Sequence, residues 1–219
     1  MGRFGALPLM FLALSACAGG TPAPTQSPTP SEPAMSSSPD TADSLPEARI
    51  EGPFDTDLLV AFDVPEGRLV ADVRYVLRNT GRGPVIVFDR GTAHDVGTGR
   101  QAAGAVGVPR LEVSGEDVTL VHAAQPLPDP SPTSPPTPLG IELAPGASLA
   151  GRFQTMLPGP ALPKRLRWCV AVMTMDEALL HAPQSTPDGQ VWTVSFAAVE
   201  RQERACTPWY DIAQRAFET

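Results

Sequence analysis

Residues 68–78, reading RLVADVRYVLR, limit what this chain can fold into more than any other stretch. Leu69, Ala71, Val73, Tyr75 and Leu77 alternate with Val70, Asp72, Arg74, Val76 and Arg78. Side chains of a strand point to opposite faces in turn, so the first set faces a core and the second a half-solvated surface. Residues 165–173 repeat the pattern, with Leu166, Trp168, Val170 and Val172 inward and Cys169 on the opposite face. Turn-forming triplets punctuate the chain around these two strands: Pro65-Glu66-Gly67, Asn79-Thr80-Gly81, Ala144-Pro145-Gly146 and Pro187-Asp188-Gly189.

The apolar runs between turns are further strands: 58–64, 84–89, 109–113, 117–123, 139–143, 148–155 and 191–199. The last places Trp192, Val194, Phe196 and Ala198 together, and Trp168 and Trp192 read as core. Residues 50–57 read as an approach segment, 91–108 as a mobile Gly- and Ala-rich loop, and 176–181 as a short helical turn or loop broken by Pro183. About eight or nine short strands with Pro and Gly turns point to a β-sandwich. The unit of strand, Asn79-Thr80-Gly81 and strand resembles the B and C region of bacterial immunoglobulin-like modules. Residues 141–153, IELAPGASLAGRF, resemble a turn-into-strand feature of secreted sandwich domains. The fold class expected is all-β: an immunoglobulin-like β-sandwich with Pro- and Gly-rich loops, spanning residues 49–219.

Two segments are too rich in proline to be strands, because proline supplies no ladder donor. Residues 19–48 carry seven prolines among Ser and Thr without apolar periodicity. That composition cannot offset the entropy cost of folding, and it favours an extended tether. Residues 126–138, PLPDPSPTSPPTP, read as a long surface loop between two strands, with a division into two small domains as the alternative.

The N-terminus places the chain. Arg3 is followed by an apolar run from residue 4 to 16, too short to span a bilayer and of signal-peptide length. It ends in Leu14-Ser15-Ala16-Cys17, which resembles the lipobox of bacterial lipoproteins. The resemblance implies a signal peptide over 1–16, a lipidated Cys17 opening a linker over 17–48, and attachment to a membrane through that lipid. Ala18 after the cysteine implies the outer membrane, with the domain facing the periplasm or cell surface. If Cys17 carries lipid, Cys169 and Cys206 remain. A disulfide between them is the default in an oxidising compartment, with two buried free thiols as the alternative. Such a bridge joins a late strand to the tail rather than two core strands, as antibody-type domains do. The expectation is that residues 200–219 form no strand of their own. They would cover the outer face of a sheet with Trp209, Tyr210, Ile212 and Phe217, or tuck at the sandwich edge with Cys169 inward.

The formal charge is −8, so a basic nucleic-acid footprint is absent. No HExxH or GxSxG motif occurs. Gly97-Thr98-Gly99-Arg100-Gln101-Ala102 matches a degenerate dinucleotide fingerprint, but no βαβ unit surrounds it. His94, beside Asp95, is a candidate base or ligand. Met156, Met173, Met175 and His181 form the one soft-metal set, of a kind that suits copper. Trp209 and Tyr210 are candidate interface residues, since aromatic side chains are enriched at interfaces. The expected function is a lipid-anchored, non-enzymatic interaction or structural module of the cell envelope. It would take no cofactor and no nucleic acid, with an envelope protein as the candidate partner. The alternative is a periplasmic copper-binding protein or envelope enzyme built on those Met and His residues.

Overall fold

The alternation at 68–78 is realised as burial: Ala71, Val73, Tyr75 and Leu77 are sealed in a core, while Arg74, Val76 and Arg78 face outward. A computed structural model describes residues 45–219; the expected signal peptide, Cys17 and most of the expected linker, to residue 44, lie outside the described residues. In chain order the first strands are β1 (Glu47–Gly52), β2 (Thr56–Asp63), β3 (Val70–Asn79), β4 (Val85–Val87), β5 (Arg110–Ser114), β6 (Asp117–His122) and β7 (Leu139–Leu143). Then follow β8 (Ser148–Met156), β9 (Arg165–Thr174), β10 (Leu180–Thr186), β11 (Gly189–Val194), β12 (Glu203–Cys206), β13 (Tyr210–Asp211) and β14 (Ala216–Phe217). One short helix, α1 (Ala93–Gly97), follows β4.

These strands form the expected all-β sandwich. One sheet has the order β1-β2-β3-β8, antiparallel throughout. The other runs β10-β11-β7-β4-β9-β13-β14, with β12 and β6 also on β9 and β5 on β6. Leu58, Val60, Phe62, Val73 and Leu77 of the first sheet meet Leu166, Trp168, Val170 and Val172 of the second. Tyr75 lies against Trp168, with ring centroids 4.6 Å apart, and Phe62 meets Tyr210 edge-on at 5.4 Å. Gly151 makes room for this: a Cβ there would sit 2.2 Å from the Tyr75 ring.

The second sheet has a smaller core on its other face, made by Ile86, Phe88, Ala171, Met173, Leu180, Val194 and Ala198. That core changes the reading of residues 191–199. β11 stops at Val194, and a 3₁₀ turn over Phe196–Glu200 follows, capped by Ser195. Val191 rather than Trp192 faces the main core. Trp192 is half-buried on the other side, where its Nε1–H donates to Glu142 at 3.2 Å. β10 passes Pro183 because its pairing with β11 shifts register between His181 and Gln184, so a bulge takes the residue that cannot donate. β1 also begins at Glu47, inside the segment expected to be tether.

The tail departs most from expectation. Residues 203–206 and 210–211 are strands on β9, so the tail does not cover a sheet face but extends a sheet edge. Cys206 stands directly opposite Cys169 in the ladder, and the two form a disulfide. Cys169 is on the face opposite Trp168, as alternation requires, yet it is buried. Tyr210 turns into the core with Phe62 and Phe217, and only Trp209 faces outward.

Candidate functional site

A cleft opens where the second sheet divides. β6 runs parallel to β9 from Arg165 to Val170, and β4 runs antiparallel to the same edge from Thr174 to Val172. The C-terminal ends of β4 and β6 therefore converge. Beyond that point β4 continues the sheet through β7, and β6 through β5. The wedge between them cannot be closed by a strand. It is filled by residues 91–108, including α1, and by the end of the proline segment.

Both segments were expected as surface loops, the first of them mobile; the structure seats them. Ala93 N–H donates to Thr137 O at 2.8 Å, Leu139 N–H to Gly91 O at 2.9 Å and Gly107 N–H to Asp89 O at 2.8 Å. Gln101 Nε2 donates to Arg90 O and Ala105 O, both at 2.8 Å. Gly107 passes so close to Gly91 that a Cβ would meet its backbone at 2.7 Å. The local code is visible in α1: Thr92 caps it by accepting from Asp95 N–H. Residues 127–134 of the proline segment stay exposed, whereas Pro136 and Pro138 form cleft wall.

The cleft has a volume of about 410 Å³. Phe88, Val121, Pro138 and Leu139 make a buried apolar floor. Arg100, Arg110 and Val108 stand at the exposed rim, and Val108 is 80% exposed. Arg100 lies 3.2 Å from Asp95, and Arg110 pairs with Glu112.

His122, which the sequence reading passed over, closes one wall. Trp168 Nε1–H donates to His122 Nδ1 at 3.0 Å, and His122 Nε2 lies 2.9 Å from Gly107 O. The ring therefore carries its hydrogen on Nε2. Burial pulls its pKa down to about 4, so the imidazole is neutral near pH 7. Both nitrogens are engaged, and neither is free to move a proton for a ligand.

Beneath the cleft loop lies a buried charged cluster, Asp89 and Arg90, also missed from sequence. Tyr75 donates its hydroxyl to Asp89 Oδ2. Arg90 Nε lies 3.2 Å from Asp89 Oδ1, and Nη1 donates to Gly104 O and lies 3.4 Å from Asp188. Asp89 Oδ1, Arg90 Nε and Arg90 Nη2 have no well-aligned hydrogen bond among the described residues. Burial raises the Asp89 pKa against the pull of Arg90, and it raises that of Tyr75, which stays protonated as the donor. A run reading PVIVFDR gives no sign that its charged end turns inward.

The residues singled out from sequence are not gathered into one site. His94 lies on α1, its Nδ1 3.2 Å from Ser134 Oγ. Met156 ends β8 in the first sheet and is 65% exposed. Met173 is core filler in the second cluster, with Met175 half-buried against it, and His181 is exposed on β10. Tyr210, buried in the main core, presents no surface for a partner. Trp209 is half-buried between Arg165 and Arg167, whose guanidinium carbons lie 5.0 and 4.4 Å from its ring centroid. Among the described residues no group of three or more His, Cys, Asp or Glu side chains could hold a metal ion. No helix among them is long and apolar enough to cross a membrane. No protein-family model matches the chain, and neither the curated proteins nor the solved structures compared with it contain a match.

Proposed function

We propose that this chain is a lipid-anchored binding module of the cell envelope, held outside the cytoplasm by Cys17 and carrying a non-catalytic cleft at the division of its second sheet. The observation that carries the binding reading is the cleft itself. Its floor is apolar, and its one imidazole is tied at both nitrogens, so it offers surface for recognition but no free base. A volume of about 410 Å³ lies within the range of small-molecule sites, about 300–1,000 Å³. Export is supported by the Leu14-Ser15-Ala16-Cys17 sequence and by the paired positions of Cys169 and Cys206, since disulfides persist in oxidising compartments.

Metabolic labelling with palmitate tests the anchor: label should enter the wild-type chain and be lost from Cys17→Ser. Label retained by C17S would overturn the assignment of Cys17. Elemental analysis of protein produced in the periplasm tests the non-catalytic part. A stoichiometric, tightly held copper or zinc ion would replace the binding module by a metal protein.

A further inference from the structure

We infer that the cleft between β4 and β6 binds a small amphiphilic anion, with its apolar body on the floor and its carboxylate at the Arg100–Arg110 rim. The inference rests on reading the chain as a binding module and names the ligand class of that module's cleft. Its basis is the gradient from inside to outside. The deepest lining residues, Phe88, Val121 and Leu139, are apolar and buried. The exposed lining residues are two arginines and a valine. The lining holds two arginines and one acidic side chain, Asp95, on a chain whose formal charge is −8, while Glu112, which pairs with Arg110, stands outside it.

Chemistry narrows the class further. His122 is neutral and adds no charge to the wall. Arg100 and Arg110 hold their acidic partners near water, where such pairs are weak and can be exchanged for a ligand carboxylate at little cost. A guanidinium presents its donors as a fork, which matches a planar carboxylate with two parallel hydrogen bonds. A cationic amphiphile would instead meet two like charges at the rim. A fully polar anion would leave the apolar floor wet, and Val108, 80% exposed at the rim, would go uncovered.

The test uses the full-length protein and three probes that share one apolar body: 4-phenylbutyrate, 4-phenylbutan-1-ol and 4-phenylbutylammonium, titrated by calorimetry at pH 7. The carboxylate should bind roughly tenfold more tightly than the alcohol, the scale of one charge-assisted contact near water, and the ammonium most weakly. Replacing both rim arginines (R100Q with R110Q) should lower carboxylate affinity to that of the alcohol and leave alcohol affinity unchanged. Ala123→Trp, which fills the cleft, should abolish binding of all three. Should that variant fail to fold, Val108→Glu serves instead, because an exposed rim position tolerates the change. It should weaken the carboxylate more than the alcohol. Equal affinities for acid and alcohol, a preference that survives loss of both arginines, or no binding of any probe would each overturn the inference. Palmitate labelling at Cys17 and metal content are independent of these titrations, so a failure here is distinguishable from a failure of the envelope binding module.

Discussion

Asn79, the last residue of β3, and Arg90, just past β4, both bury polar groups at the end of a core strand, and the surrounding chain answers them in opposite ways. Asn79 has every polar group paired. Its Nδ2 donates to Gly83 O and Leu143 O, and its Oδ1 accepts from Gly81 N–H, each at 2.9 Å. Its backbone N–H and C=O bond to Ala147 and Gly146 in the β7–β8 turn. Arg90 is buried as deeply, but beyond Asp89 its partners are Gly104 and Asp188, and its Nε and Nη2 lack aligned acceptors among the described residues. A fully satisfied buried amide specifies one geometry. A buried ion pair with loose ends adds little stability over apolar side chains of the same volume. Its consequence lies in what it holds: the cleft loop at Gly104 and the β10–β11 turn at Asp188. The Asn79 corner fixes the fold, and the Arg90 end positions the cleft.

Arg90→Ala should have the largest effect. It leaves Asp89 buried without its counter-charge, at a cost of about 3–5 kcal/mol in urea unfolding. Asn79→Ala should cost less, about 2–3 kcal/mol, for three lost hydrogen bonds and the buried partners they leave behind. The reverse order would mean that Asp89 takes up a proton and tolerates the loss, and the contrast between the two ends would fail.

The next prediction concerns pH at the cleft wall. His122 has a folded pKa near 4 against an unfolded value near 6.5. The unfolded chain therefore binds the extra proton between those values. The stability contribution is complete above pH 6.5 and is lost as pH falls toward 4, on the order of 3 kcal/mol in total. Asp89, whose pKa is raised by burial, works in the opposite direction. The quantity to measure is thus the difference in unfolding free energy between wild type and His122→Gln across pH 4–7. A difference that does not change with pH would contradict the neutral, doubly bonded imidazole.

Much of this architecture was legible in the sequence. Alternation located β3 and β9 and gave their inward residues, because a period of two has only one physical reading. Asn79-Thr80-Gly81 marked the turn whose asparagine proves to be fully engaged. Other features were hidden for stated reasons. β12 pairs with β9 through four residues, too short a run for alternation to register. Trp192 does pack with Val194 and Ala198, but half-buried against the second, smaller core, because the main core takes the alternate residue Val191 and no local pattern tells the two cores apart. The cleft was invisible because it arises from β4 and β6 meeting on one edge of β9, a pairing that no local pattern encodes. His122 sat in plain view at the end of a strand. The usable signal was its inward phase with Val118 and Leu120, which puts an imidazole beside Trp168.

The smallest effect should come from the proline segment. Deleting residues 131–134 removes exposed positions and shortens a loop, so it should change stability by less than about 1 kcal/mol. Extending the deletion to Pro136 should cost more, because Pro136 lines the cleft and Pro135 O accepts from Thr137 N–H. Thermal unfolding of the two deletions separates the solvent-exposed part of the segment from the seated part. Equal effects would show that Pro136 contributes nothing to the wall.

The contrast between the two ends is tested most directly by amide hydrogen exchange on the double replacement Asp89→Leu with Arg90→Met, compared with wild type. Removing both charges spares the core an unpaired ion, so amides of β3 and β9 should keep their protection. The Gly107 amide, bonded to Asp89 O at 2.8 Å, and its neighbours over 101–107 should exchange faster, because Gly104 has lost its anchor. Protection falling equally across β3, β9 and residues 101–107 would contradict the account by making the pair part of the global fold; no change at 101–107 would contradict it by showing that the pair positions nothing.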